Sequence, residues 1–222
     1  MFTLLEGAGK LRDVAVVGLG AGSLAAYGTP GQRFTFYEID PAVVRIARDP
    51  RFFTYLTDAK ADVRCVVGDG RLGLAAAEDA TYDLVVIDAF SSDAIPVHLL
   101  TREAMTIYLR KLRPEGVLSV HLSNQFLDLE PVVRALAADL HLSGAVKLDT
   151  IGTPQEVVEG KDRSQWAVFA RERAALALLE KDPLWVAFPE GEAPVPKRFL
   201  WTDEYSNILA VLKRVEGRRV LL

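Results

Sequence analysis

The strongest constraint in this sequence is a recurring unit: a short, continuously apolar run that stops at glycine or an acidic residue and is followed by a stretch with helical spacing of its apolar positions. Val14-Ala15-Val16-Val17 stops at Gly18, and Phe34-Thr35-Phe36-Tyr37 stops at Glu38. Val63-Arg64-Cys65-Val66-Val67 stops at Gly68-Asp69-Gly70, and Leu84-Val85-Val86-Ile87 at Asp88. Strands that are apolar at nearly every position are covered on both faces, and their alternation with helices makes a parallel sheet between helical layers. A fifth run, Gly116 to Leu122, follows the turn at Pro114-Glu115. Helices are predicted over Pro41 to Ala47, Arg71 to Glu78, Thr101 to Leu112 and Leu129 to Leu140. Pro41 and Pro131 sit near helix starts, where a missing N–H does little harm. Ala145 to Ile151 and Gln165 to Ala170 have no long helix between them and suit an antiparallel pair at a sheet edge. The expected fold class is α/β: a doubly wound, mostly parallel seven-stranded sheet with an antiparallel edge.

Beyond Ala170 the pattern changes. Arg171 to Lys181 reads as helical, Pro183 to Pro196 holds four prolines and no periodicity, and Trp201 to Val215 is read as a short closing helix opened by Thr202 or Ser206. The expectation is one domain over residues 1–222, with a nucleoside-binding core over 12–170 and a C-terminal extension over 171–222.

Composition narrows the function classes. A net charge of -4 is of the wrong sign for a protein that works by neutralising phosphate backbones, so nucleic acid is not an expected partner. A single cysteine, Cys65, forms no internal disulfide, and His98, His121 and His141 have no metal-ligand spacing, so no metal is expected. No apolar run approaches the roughly 20 residues of a spanning helix. Met1 to Leu11 lacks the basic start and apolar stretch of a signal peptide. A cytoplasmic setting without membrane insertion follows as the expectation.

Candidate chemistry gathers at the carboxyl ends of the parallel strands, the edge where open α/β sheets bind ligands. Gly18-Leu19-Gly20-Ala21-Gly22 lies between the first strand and its helix, where absent side chains let a ligand approach backbone amides. A dinucleotide fingerprint would place glycine or alanine at position 23; Ser23 stands there, which fits a nucleoside without a pyrophosphate better. Glu38 stands where a carboxylate can accept both hydroxyls of a ribose, and Asp40 reads as the N-cap of the helix beginning at Pro41. Asp69, followed by Gly70, either accepts from an exocyclic adenine amine, caps the helix starting at Arg71, or does both. Asp88 ends a buried strand and Asp93 lies five residues on; a partly desolvated carboxylate there is a candidate base or cation holder, the alternative being that Asp88 caps loop amides and Asp93 is exposed. His98 and His121 read as hydrogen-bonded structure, Trp201 and Tyr205 as packing on the sheet, and Cys65 as buried filler.

The order Gly-x-Gly-x-Gly, strand-end Glu, Gly-Asp-Gly, strand-end Asp resembles the class I S-adenosylmethionine-dependent methyltransferase fold over about residues 12 to 170. The stretch Tyr82 to Pro96, with Asp88-Ala89-Phe90-Ser91-Ser92-Asp93, is similar to the spermidine synthase (polyamine aminopropyltransferase) family, most of all to its soluble domains fused to membrane helices. Trp201-Thr202-Asp203-Glu204-Tyr205-Ser206-Asn207 resembles the same subgroup. The resemblance implies a transferase of polyamine biosynthesis with S-adenosylmethionine or its decarboxylated form as co-substrate. It implies a nucleoside site at Gly18, Gly20, Gly22, Glu38, Asp69 and Gly70, and Asp88 with Asp93 as the catalytic acids. An amine or polyamine would be the acceptor, and a homodimer is a possible assembly. Spermidine synthases usually carry an aspartate in the glycine loop that holds the donor's amino end; here the loop has none, so a methyltransferase with another acceptor and a non-catalytic nucleoside-binding domain stay open. The first strand begins around Arg12, so the usual N-terminal β-domain has no counterpart ahead of it; the site is then open, or the chain is one part of something larger.

Overall fold

Why the runs form one sheet is visible in their burial. The strand β1 (Asp13–Val17) is buried at every position, and β4 (Tyr82–Ile87) at all but Asp83. Strand β2 (Arg33–Glu38) turns Arg33 outward, and β3 (Asp62–Val67), with charged Asp62 and Arg64, is exposed along much of its length and forms an edge. A computed structural model describes residues 11–89, 96–150, 162–189 and 196–213, with Phe2, Leu5, Thr153, Gln155 and Val158. The eight strands run in the order β3-β2-β1-β4-β5-β7-β6-β8, with β5 at Leu112–His121, β6 at Ser143–Asp149, β7 at Ser164–Ala170 and β8 at Trp185–Ala187. Pairs from β3 through β5 are parallel, and those from β5 through β8 are antiparallel.

Alternation of side chains across the pleat divides the core in two. Ala15, Val17, Val85 and Ile87 face the layer holding α2 (Gly70–Ala76), α3 (Arg102–Lys111) and α4 (Glu130–Asp139), through Leu74, Met105, Tyr108 and Leu136. Val14, Val16, Leu84 and Val86 face the layer holding α1 (Pro41–Ala47) and short 3-10 turns, through Val44, Ala25 and Leu176. Each fully buried Leu, Val or Phe contributes on the order of 1.5–3 kcal/mol, so both faces are needed to hold the sheet. Helix α1 begins as its sequence dictates: Asp40 accepts from the Ala42 N–H at 2.7 Å and Pro41 occupies the first turn.

The seven expected strands are joined by an eighth, β8, which extends the antiparallel edge with residues from the C-terminal stretch. Two other expectations are corrected. Arg171 to Lys181 forms two separate 3-10 turns, Arg173–Leu176 and Leu179–Lys181, instead of one helix, and Leu176 and Leu179, one from each turn, are both buried in the same core. Neither Thr202 nor Ser206 opens a helix: Thr202 pairs with Tyr205, and the 3-10 turn Ile208–Val211 is capped by Asn207. The end of that stretch, after Lys213, lies outside the described residues. The glycine loop likewise leads into a five-residue 3-10 turn, Ser23–Tyr27, in place of an α-helix. No helix among the described residues is long and apolar enough to cross a membrane.

Candidate active site

Strand order reverses between β1 and β4, which opens a crevice at their carboxyl ends. The Gly18 N–H donates to the Tyr37 carbonyl and the Asp88 N–H to the Val17 carbonyl, both at 2.8 Å, so the ends of β2, β1 and β4 form one row. Only glycine fits at position 18: its φ is +97°, and a Cβ would lie 2.2 Å from the Asp88 carbonyl oxygen. The row floors a cleft of about 590 Å³ whose walls include Gly18, Gly20, Glu38, Asp69, Gly70 and Asp88. Gly22 stands apart from this wall, at the start of the Ser23–Tyr27 turn, where a Cβ would lie 2.7 Å from Leu56. Asp93 lies outside the described residues.

Three of the cleft's acids are braced by backbone amides. Glu38 is buried; its Oε2 accepts from the Leu19 N–H and its Oε1 from the Asp40 N–H, both at 2.9 Å, which ties the glycine loop to the end of β2. Asp40 caps α1, and Asp69 caps α2 by accepting from the Leu72 N–H at 2.9 Å. Each carboxylate oxygen retains a lone pair for a further donor. Tyr37 also lines the cleft; burial and the Tyr82 hydroxyl at 2.9 Å push its phenol well above the usual tyrosine range, so it is a neutral hydrogen-bonding group.

Asp88 differs. Its Oδ1 lies 2.7 Å from His121 Nδ1, at the end of β5, and His121 Nε2 lies 2.6 Å from Ser123 Oγ. The sequence reading of His121 as ordinary structure missed this pair. The available signal was register: Ile87 pairs with Val120 in the parallel β4–β5 ladder, so the next residue of each strand, Asp88 and His121, emerges side by side.

The C-terminal string adds a second, more open cavity of about 590 Å³ beside the first, sharing Pro96 and His98 with it and lined also by Glu204 and Tyr205. Asp203 holds the string in place: Arg71 grips both its oxygens at 2.7 and 2.6 Å, and the Thr101 hydroxyl donates at 2.7 Å. The guanidinium is the main reason that the Asp203 carboxyl is lowered to about 2. Trp201 is fully buried as packing, as its aromatic bulk predicts, while Tyr205 is half exposed at the second cavity. His98 Nε2 stands 3.5 Å from Asp69 Oδ2 on the wall between the cavities.

No protein-family model matches the chain. Over 114 residues it is 34% identical to the polyamine aminopropyltransferase of Vibrio vulnificus, a match covering 49% of this chain and 37% of that enzyme. Over about half of its length the chain is similar to polyamine aminopropyltransferases. It is also 28% identical over 108 residues to putrescine N-methyltransferase 3 of Nicotiana tabacum, covering 48% of this chain and 28% of that protein. The fold is similar to that of a probable spermidine synthase from Corynebacterium glutamicum, with a TM-score of 0.58 at 16% identity over 99% of this chain and 78% of the other. A spermidine synthase solved with the transition-state analogue AdoDATO gives a TM-score of 0.59 at 16% identity over 76% and 58% of the two chains. The sequence matches thus span about a third of the curated relatives' lengths.

Proposed function

We propose that this chain is an aminopropyltransferase-like transferase: the cleft binds a decarboxylated S-adenosylmethionine-type nucleoside, and Asp88 serves as the base for an amine acceptor. The observation that carries the reading is the charge of the cleft. Its described lining holds the carboxylates of Glu38, Asp40, Asp69 and Asp88 with His98, and no lysine or arginine. The nearby Arg71 is already gripped by Asp203. A donor with a sulfonium and a protonated amine suits such walls, whereas a donor carrying an α-carboxylate would set like charge against like. Glu38 would take the ribose hydroxyls, Asp69 the adenine amine, and the glycine loop, Gly18 to Gly22, the close backbone approach. Residues 12–170 would form this nucleoside core and 171–222 an extension of the same domain.

A sulfonium carbon is already activated, so the protein has to align the reactants and supply a neutral amine. An alkylammonium with a pKa of roughly 10.4 is almost wholly protonated at neutral pH. Asp88 anchors that cation and takes its proton, with Asp93 as a second acid for a polyamine. The amine lone pair then forms a C–N bond to the propyl carbon, the C–S bond breaks, and its electron pair stays on sulfur in the leaving methylthioadenosine.

A methyl donor is the second reading, favoured by the glycine loop, which has no aspartate, and by the likeness to a putrescine N-methyltransferase. Isothermal titration against decarboxylated S-adenosylmethionine, the intact form and methylthioadenosine discriminates. The decarboxylated donor is expected to bind at least about tenfold tighter than the intact form, the size of one charge-assisted contact. Tighter binding of the intact form would move the assignment to methyl transfer, and binding of none would end both.

A further inference from the structure

We infer that His121 is a positioning residue for Asp88, held with its proton on Nδ1 so that Oδ1 of the carboxylate is fixed and Oδ2 is kept for the amine. The inference rests on Asp88 acting as the base of the proposed transfer. Geometry restrains the imidazole on three sides. Asp88 Oδ1 lies 2.7 Å from Nδ1, Ser123 Oγ lies 2.6 Å from Nε2, and the ring of Trp166 stacks on the imidazole at 4.5 Å and 14°. Ser123 is in turn held by β7, whose Gln165 N–H donates to its Oγ at 2.8 Å.

These contacts select a proton arrangement. A bare Nδ1 lone pair at 2.7 Å from a carboxylate oxygen would be repulsive, so Nδ1 carries a hydrogen and donates it to Asp88. With one lone pair of Ser123 Oγ occupied by the Gln165 N–H, the hydroxyl is free to donate its own hydrogen to Nε2. The chain of donors then runs Gln165 N–H to Ser123, Ser123 O–H to His121, and His121 N–H to Asp88. Structural bracing alone would not require it, because Glu38, Asp40 and Asp69 are braced by backbone amides. Among the described residues, the Asp88 carboxylate is instead met by a side chain, the His121 imidazole at its Oδ1.

Two variants separate positioning from packing. His121→Phe keeps a ring against Trp166 and loses both nitrogens; His121→Asn keeps a donor near the Nδ1 position. With the decarboxylated donor and an amine, His121→Phe is expected to lower kcat about 10- to 100-fold with the donor KM within about twofold, as loss of a hydrogen bond to a charged catalytic group does. His121→Asn is expected to recover most of that loss. Nitrogen-15 NMR of the imidazole supplies a readout independent of turnover: a protonated Nδ1 and an unprotonated Nε2, the Nδ1–H signal shifting in Asp88→Ala. An Nε2-protonated ring, an unchanged kcat in His121→Phe, or a folded His121→Asn no better than His121→Phe overturns the positioning role while the transferase reading stands. A parent chain that transfers nothing removes the reading on which the kinetic role rests, whatever the tautomer.

Discussion

On the β2–β3 wall of the cleft, Glu38, Asp40 and Asp69 close onto backbone amides of adjoining loops and helix starts; on the β4–β5 wall, Asp88 meets the side chain of a residue 33 positions away. The first arrangement builds shape, because each bond fixes a turn of main chain at the rim. The second joins two titratable side chains and fixes the direction of a carboxylate without consuming it. In the proposed reading one wall holds the ligand and the other moves a proton. The glycine between them, Gly18, is what lets the walls meet.

The division is broken most severely at Asp88. Asp88→Asn is expected to lower kcat about a thousandfold, within the range for loss of a general base, while nucleoside affinity stays within about tenfold. Steady-state kinetics with calorimetry checks both halves, and equal loss of binding and turnover would erase the contrast between the walls. Next in size is Gly18→Ala, which forces a Cβ to within 2.2 Å of the Asp88 backbone at a φ of +97°. A cost of about 3 kcal/mol or more is expected from overpacking and strain together, read as a fall in the denaturant midpoint. Glu38→Gln tests the holding wall: it removes the charge and sets an amide NH2 against one of the two backbone N–H groups that Glu38 accepts from, and is expected to weaken nucleoside binding about 10-fold or more with a smaller change in kcat.

The smallest effect belongs to the C-terminal string. Asp203 has its carboxyl lowered to about 2 in the folded chain, mainly by Arg71. Because that value lies below the roughly 3.9 of an unfolded aspartate, the contribution to stability is fully present above about pH 4 and is lost as pH falls toward 2. The side chain is 42% exposed, so solvent screening holds the contribution to about 1 kcal/mol or less. Asp203→Asn is expected to lower stability at pH 7 by about that amount and to flatten its pH dependence between about 4 and 2. Chemical denaturation across that range measures it, and an unchanged acid limb would show that the string is held by Trp201 packing alone.

What could be read from residues follows the same division. Asp40-Pro41 announced the start of α1, and Gly68-Asp69-Gly70 the start of α2, because capping is decided within three residues. The glycine and acid endings of β1 to β4 located the cleft for the same local reason. The eighth strand was hidden, since three residues among prolines acquire strand geometry only from the edge of β6. Asp203 stood in a recognised string, but its partner Arg71 is 132 residues away, and nothing local connects them. His121 was passed over because a lone histidine has no local signature; only the pairing of β4 with β5 brings it to Asp88.

The most direct test of the whole account is a transfer assay read by mass spectrometry, with putrescine as the amine and either decarboxylated or intact S-adenosylmethionine as donor. The expected result is an aminopropylated amine and methylthioadenosine from the decarboxylated donor, with no product from the intact one. A methylated amine from intact S-adenosylmethionine, or no product from either donor, would contradict the assignment of this acidic cleft to aminopropyl transfer.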